Sequence, residues 1–199
     1  MKSIFNYFET FVRLSSESKN YIASFLEFDT LKKGDLLWKT GEKCNNLYFV
    51  TSGVVRLFFY NEKGEEHTVH FVNSNKFIAD LDSLNSQTPS SVSCVAATDC
   101  EIIIITHSVL NIFNKEIFEW DKLCRKITER TLFDKIKIRD QIFQNTAKER
   151  YISFLEHFPT IANNVQASHI ASYLGISQFT LSHIKKELTK KDFLRISKN

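Results

Sequence analysis

The sequence is short of residues that break or cross-link a chain: among its 199 residues are two prolines, five glycines and four cysteines. So few prolines argue against disordered linkers. Cys44, Cys94, Cys100 and Cys124 are scattered, with no CxxC pair. That spacing disfavours a thiolate metal or iron–sulfur site and points to four reduced thiols in a cytosolic protein. No apolar run has the length of a membrane helix, and the opening MKSIFNYFETF lacks the sustained apolar stretch of a signal peptide. A cytoplasmic location with no membrane partner is therefore expected. No Gly-rich phosphate loop, nucleophile elbow or paired-carboxylate cleft stands out, so no catalytic residue is assigned and an enzyme is not expected. His67 and His70 lie three apart on an expected strand and face opposite sides, a poor arrangement for one ion. Neither a metal nor a cofactor is expected.

What is present is a core-forming composition, 43% apolar with eighteen phenylalanines. Residues 3–29 read as short helices. From Leu31 the texture changes: Gly34, Gly41, Gly53 and Gly64 punctuate β-rich runs such as LYFV and VVRLFFY, and HTVHFV, SVSCVAA and EIIIIT follow. Six to eight short strands of this kind predict an antiparallel sandwich or jelly roll. From Ser108 the pattern becomes helical and charged. Phe113, Ile117, Trp120, Cys124, Ile127 and Thr131 step by four and three, a coiled-coil rhythm. This stripe is the expected dimerisation surface, with other apolar positions on the same helix left to cover the β domain.

The stretch VQASHIASYLGISQFTLSHIKKEL, 165–188, carries the functional signal. Ile170, Ala171 and Leu174 give a short helix one apolar side, and Gly175 ends it as a residue free to take positive φ. Ser177 caps a second helix, on which Leu181, Ile184 and Leu188 form one stripe. The small Ala171, the glycine four residues on and the apolar positions that follow fit a helix-turn-helix. At about 100° per residue, Phe179, His183, Lys186 and Lys190 fall opposite the stripe, flanked by Gln178 and Ser182. Ser177 and Thr180, in the first turn, complete the expected DNA-binding set. From His183 onward there are six Lys or Arg and two acids, an excess of +4 in a chain whose net charge is +3. Positive charge gathered at one end suits contact with phosphates, so double-stranded DNA is the expected partner. Before this motif, AKERYISFLEH (147–157) reads as a helix ended by Phe158-Pro159, with Tyr151, Phe154 and Leu155 in a core.

The order β roll, long helix, helix-turn-helix, with GDLLWKTGEKCNNLYFVTSGVVRLFFY near the front, resembles the cyclic-AMP receptor protein / fumarate–nitrate regulator (CRP/FNR) family of bacterial transcription factors. AKERYISFLEHFP and IASYLGISQFTLSHIKKEL look most like its Bacteroidetes members. The resemblance implies an α+β chain: an antiparallel jelly-roll sensor domain (1–107), a long dimerisation helix (108–145) and a helix-turn-helix domain (146–199). It also implies a homodimer on a palindromic operator, with RNA polymerase among its partners. In that family the base-reading positions lie in the first two turns of the second helix, here Gln178, Phe179 and His183. By their chemistry Gln178 suits adenine N6 and N7, Phe179 a thymine methyl, and His183 a guanine acceptor. Family members usually add a winged hairpin. KDFLRISKN leaves room for one strand, Phe193 to Ile196, and so for a truncated wing.

Cyclic-nucleotide-binding members of this family use a glycine–glutamate pair and an arginine ten residues later. In FIADLDSLNSQTPSSVSCVA, Ala79 stands for the glycine, Asp80 for the glutamate and Ser90 for the arginine. There is no arginine between Arg56 and Arg125 and no lysine between Lys76 and Lys115. Cyclic AMP is therefore not expected to bind. A pocket lined by Phe77, Ala79, Asp80, Ser90 and Ser91 better suits an uncharged or cationic effector. The competing reading is a jelly-roll binding protein or enzyme whose C-terminal helices serve only assembly. A basic rather than apolar face on the last helix speaks against it.

Overall fold

The computed structural model describes residues 1–143 and 146–196, with side chains placed over 1–139 and 146–189. The chain divides into two compact units, residues 1–59 with 69–134, and residues 60–68 with 135–199. This differs from the three domains expected from the sequence, because the helices that follow the β roll belong, as far as Asp134, to the first unit.

The first unit opens with helices α1 (Lys2–Glu9) and α2 (Ser16–Ala23). Eight strands follow: β1 (Glu27–Leu31), β2 (Leu36–Trp38), β3 (Asn46–Ser52), β4 (Val54–Tyr60), β5 (Glu66–Asn73), β6 (Lys76–Ile78), β7 (Ser93–Ala96) and β8 (Cys100–Thr106). A short helix α3 (Leu81–Ser86) lies between β6 and β7. The strands form two four-stranded sheets, ordered β1-β8-β3-β6 and β2-β7-β4-β5, with antiparallel pairing as the sandwich reading requires. The N-terminal expectation needs one correction: Glu27–Leu31 is an edge strand paired with β8, not the end of a helix. Only pairing with residues 100–104, distant in sequence, makes it a strand.

Successive residues of β3 face opposite sides, as the period of two demands, and both sides are buried. Tyr48 and Val50 face a core shared with Trp38, Val55, Leu57, Val72, Cys94 and Ile102 from both sheets. Phe49, between them, faces a second core built from the helices. The run Ile102–Ile105 of β8 is apolar on both faces because both are covered: Ile102 enters the first core, Ile103 and Ile105 the second.

Helices α4 (His107–Glu116) and α5 (Trp120–Phe143) replace the single long helix expected from Ser108. Ile117 leaves helical geometry at φ −112°, ψ 109°, so the four–three rhythm spans a break. That rhythm lines this chain's own core. Phe113, Ile117 and Trp120 are buried with Phe8, Ile22 and Phe49, and Cys124 and Ile127 pack against the same cluster. Thr131 lies beside the Tyr7 hydroxyl. All six residues expected at a dimer interface are thus engaged within one chain. Among the described residues, the large apolar ones that α5 leaves exposed are Leu132, Phe133 and Ile136.

Gly53 joins β3 to β4 at φ +93°. A Cβ there would lie 2.6 Å from Cys100 Sγ and 2.9 Å from its Cα, and closer still to the Asp99 carbonyl oxygen. Gly53→Ala should therefore lower unfolding stability by about 2–4 kcal/mol, from backbone strain and overpacking together, read from urea denaturation.

Candidate nucleic-acid interface

The second unit contains α6 (Ala147–His157), α7 (Pro159–Asn164), α8 (Ala167–Leu174) and α9 (Gln178–Ile196). Helix α6 has the bounds read from the sequence. Thr146 accepts from the Glu149 backbone N–H while the Glu149 side chain bonds back to the Thr146 N–H, a capping box that holds the Glu149 carboxyl below the usual range. Helix α7 was not anticipated. Pro159 opens it, with a ring that pre-sets helical φ. Residues 60–68 join this unit through Ser172 on α8, whose Oγ accepts from the Thr68 backbone N–H at 2.9 Å and contacts the Glu66 carbonyl oxygen at 3.1 Å.

The turn between α8 and α9 is a Schellman closure. Gly175 sits at φ +64°, its N–H donates to Ser172 O, and the Ile176 N–H reaches Ala171 O at 3.0 Å. Arg150 Nη1 adds a bond to Leu174 O at 3.1 Å, satisfying another carbonyl at the helix end. Ser177 caps α9 by accepting from the Thr180 N–H at 3.0 Å. Ala171 is buried with Ile170 and Leu174, and Tyr151, Phe154, Ile161, Leu181 and Ile184 are buried too. Burying Leu181 and Ile184 contributes about 1.5–3 kcal/mol each to holding α9 in one rotation. Leu155 and Leu188 are half-buried. Burial against the Phe154 and Phe158 rings, both in contact with Tyr173, pushes the Tyr173 phenol up to about 12.

That rotation leaves Ser177, Gln178, Phe179, Ser182, His183 and Lys186 exposed, and Thr180 half-buried under the cap. Phe179 is 81% exposed, unusual for an aromatic with no role outside the chain. The side chain of Lys190 lies outside the described residues. Helix α9 runs to Ile196, so the wing strand expected at Phe193–Ile196 does not form. KELTKKDFLRI contains no glycine or proline to stop a helix and is rich in Lys, Leu and Glu, which favour one.

Sequence reading missed three residues here. Lys185 Nζ lies 5.8 Å from the Tyr151 ring centroid, so it faces inward while Lys186 faces solvent. Lys148 on α6 bonds Glu187 Oε2 at 2.5 Å, and the other oxygen, Oε1, stands 3.4 Å from His183 Nδ1. Only the i, i+4 spacing of His183 and Glu187 was visible in the sequence.

In the first unit, the residues assigned to an effector pocket do not all converge. Ser90, buried, donates to Asp80 Oδ2 at 2.6 Å and accepts from the Trp38 indole N–H at 3.2 Å. Asp80 also caps α3 through the Ser83 N–H, and Ala79 packs against the inter-sheet core. Ser91 is exposed. Phe77 must be removed from the set: its ring stacks on Phe8 and touches Phe49 and Tyr7 in the helix-covered core, on the other side of the sheet. Burial pushes the thiols of Cys44, Cys94 and Cys100 up, and that of Cys124 up to about 11. His67 is exposed beside Asn61. Among the described residues no cluster suited to a metal ion occurs, and no helix is long and apolar enough to cross a membrane.

The chain thus carries two antiparallel four-stranded sheets in one unit and a helix-turn-helix in the other. Residues 28–115 match the cyclic nucleotide-binding domain. The chain is 25% identical to the HTH-type transcriptional regulator ArcR of Staphylococcus epidermidis, over 96% of this chain and 91% of that protein. The structure of FixK2 from Bradyrhizobium japonicum shares the fold with a TM-score of 0.72 at 18% identity, covering 84% of this chain and 86% of that one. A CRP/FNR-family regulator from Eubacterium rectale shares it with a TM-score of 0.70 at 20% identity, covering 94% and 88%. By these matches the chain is similar to transcription regulators of the CRP/FNR type.

Proposed function

We propose that the protein is a sequence-specific DNA-binding transcription regulator that acts as a homodimer on a palindromic operator in the cytoplasm and is not an enzyme. The observation that carries this reading is the rotation of α9. Its aliphatic edge is buried at Leu181 and Ile184, and Gln178, Phe179, His183 and Lys186 stand together in solvent. An exposed amide, aromatic ring, imidazole and ammonium on one helix suit the base edges and phosphates of a major groove. Gln178, Phe179 and His183 read bases, Lys186 and Lys190 meet phosphates, and Ser177, Thr180 and Ser182 support the first turns. Two half-sites about one helical turn apart follow from a two-fold dimer.

The subunit seam falls on the outer side of α5, at Leu132, Phe133 and Ile136, because the four–three stripe is spent on the chain's own core. Phe133, 68% exposed, is the residue that most needs covering. The sensor domain takes an uncharged or cationic effector, or none. Asp80 and Ser90 are bonded to each other where the family's phosphate clamp would sit, and a carboxylate repels an anionic phosphodiester. RNA polymerase is the expected protein partner at a promoter.

Selection from random duplexes tests base reading. A·T-containing half-sites should emerge, and a flat sequence logo would refute the claim. His183→Ala or Gln178→Ala should cost about 1–3 kcal/mol and relax specificity at one position, whereas Lys186→Ala should weaken all sequences alike. Phe133→Asp should convert a dimer into monomers in sedimentation, with little change in the far-ultraviolet dichroism of the fold. Calorimetry with cyclic AMP and cyclic GMP should show no binding, and micromolar affinity would overturn the account of the sensor.

A further inference from the structure

Lys148, Glu187 and His183 form a chain of contacts running from α6 to the exposed face of α9. The Glu187 carboxylate is not a loose surface group. One oxygen is held 2.5 Å from Lys148 Nζ, and its side chain is 44% exposed. The other oxygen is 3.4 Å from His183 Nδ1, one turn earlier on the same helix. A carboxylate can only accept, so it favours the imidazole form that carries its proton on Nδ1. In that neutral form Nε2, the outer nitrogen, has a lone pair and no hydrogen.

We propose that the Lys148–Glu187 pair sets the tautomer of His183, so that Nε2 acts as an acceptor and reads an exocyclic amino group, adenine N6 or cytosine N4, in the major groove. This rests on the reading of α9 as the groove helix. It also reverses the expectation that His183 donates to guanine, because the guanine edge offers only acceptors there. Glu187 is then a positioning residue for specificity and makes no contact with DNA itself. The pairing has a chemical logic: a histidine free to exchange tautomers would accept from amino groups and donate to guanine with little discrimination, and a fixed tautomer removes one of the two options.

The test has two arms, both on the full chain. Long-range nitrogen–proton NMR at about pH 8.5, above the usual imidazole range, reports the tautomer without DNA. The wild type should show Nδ1–H and a bare Nε2. Glu187→Ala should move toward the mixture of an unconstrained imidazole, and Lys148→Met, which keeps the carboxylate but frees it, should fall between. In the second arm, selected duplexes are compared for wild type, His183→Ala and Glu187→Ala. At the base pair where His183→Ala loses preference, deleting the single adenine N6 or cytosine N4 amino group should weaken wild-type binding about three- to tenfold, as one hydrogen bond is worth, and should leave His183→Ala binding unchanged. Glu187→Ala should flatten the preference at that pair alone. An Nε2–H tautomer in the wild type, or wild-type binding that ignores removal of the amino group at that pair but is lost when guanine N7 is replaced by carbon, overturns the proposal. A wild type that binds no duplex at all would instead overturn the reading of α9 as a groove helix, and the proposal with it.

Discussion

The burial of Leu181 and Ile184 is the constraint on which the functional reading depends, because it fixes the rotation of α9. A helix of this composition, with Lys, Glu, Thr and His interspersed with few apolar residues, has no strong amphipathic pattern along its whole length. Two buried side chains near its start select one face, and the Schellman turn at Gly175 fixes where that start lies. The small Ala171 leaves room for the crossing. Arg150 and the Lys148–Glu187 pair then tie the first helix of the unit to the turn and to α9. The polar groups that remain outside do so as a consequence of this packing.

In the first unit the same principle, that a buried face is not free for a second partner, governs what α4 and α5 do. The sheet β1-β8-β3-β6 is covered on both sides, by the second sheet and by helices. Covering its outer side consumes Phe113, Ile117, Trp120, Cys124 and Ile127 from α4 and α5, together with Phe8 and Ile22 from the N-terminal helices. Phe77 is drawn into this layer as well, which takes it away from the interior where an effector would sit. Among the described residues of α5, Leu132, Phe133 and Ile136 stay exposed.

Local chemistry was legible in the sequence and distant pairing was not. Gly175, Ser177 and the Leu181–Ile184 spacing announce themselves within one or two turns, as do the bounds of α6. Strand β4 coincides with VVRLFFY, because its β-branched and aromatic residues have few alternatives. Strand β1 was hidden, since EFDTL is mostly exposed and becomes a strand only through β8. The periodicity of Phe113 to Thr131 was read correctly as apolar, but periodicity cannot say whether the buried side meets its own chain or a partner. Phe193 to Ile196 looked like a strand by residue type, yet nothing in the preceding residues stops α9. The Lys148–Glu187 bridge joins residues thirty-nine apart and has no sequence signature.

Salt dependence of duplex affinity addresses the central claim most directly, because counterions are released only where cations meet phosphates. Across about 50 to 200 mM salt the account predicts that affinity falls along a steep line of log K against log salt, and that Lys186→Ala makes the slope shallower by about one. A flat line, or a slope untouched by the loss of Lys186, would contradict it.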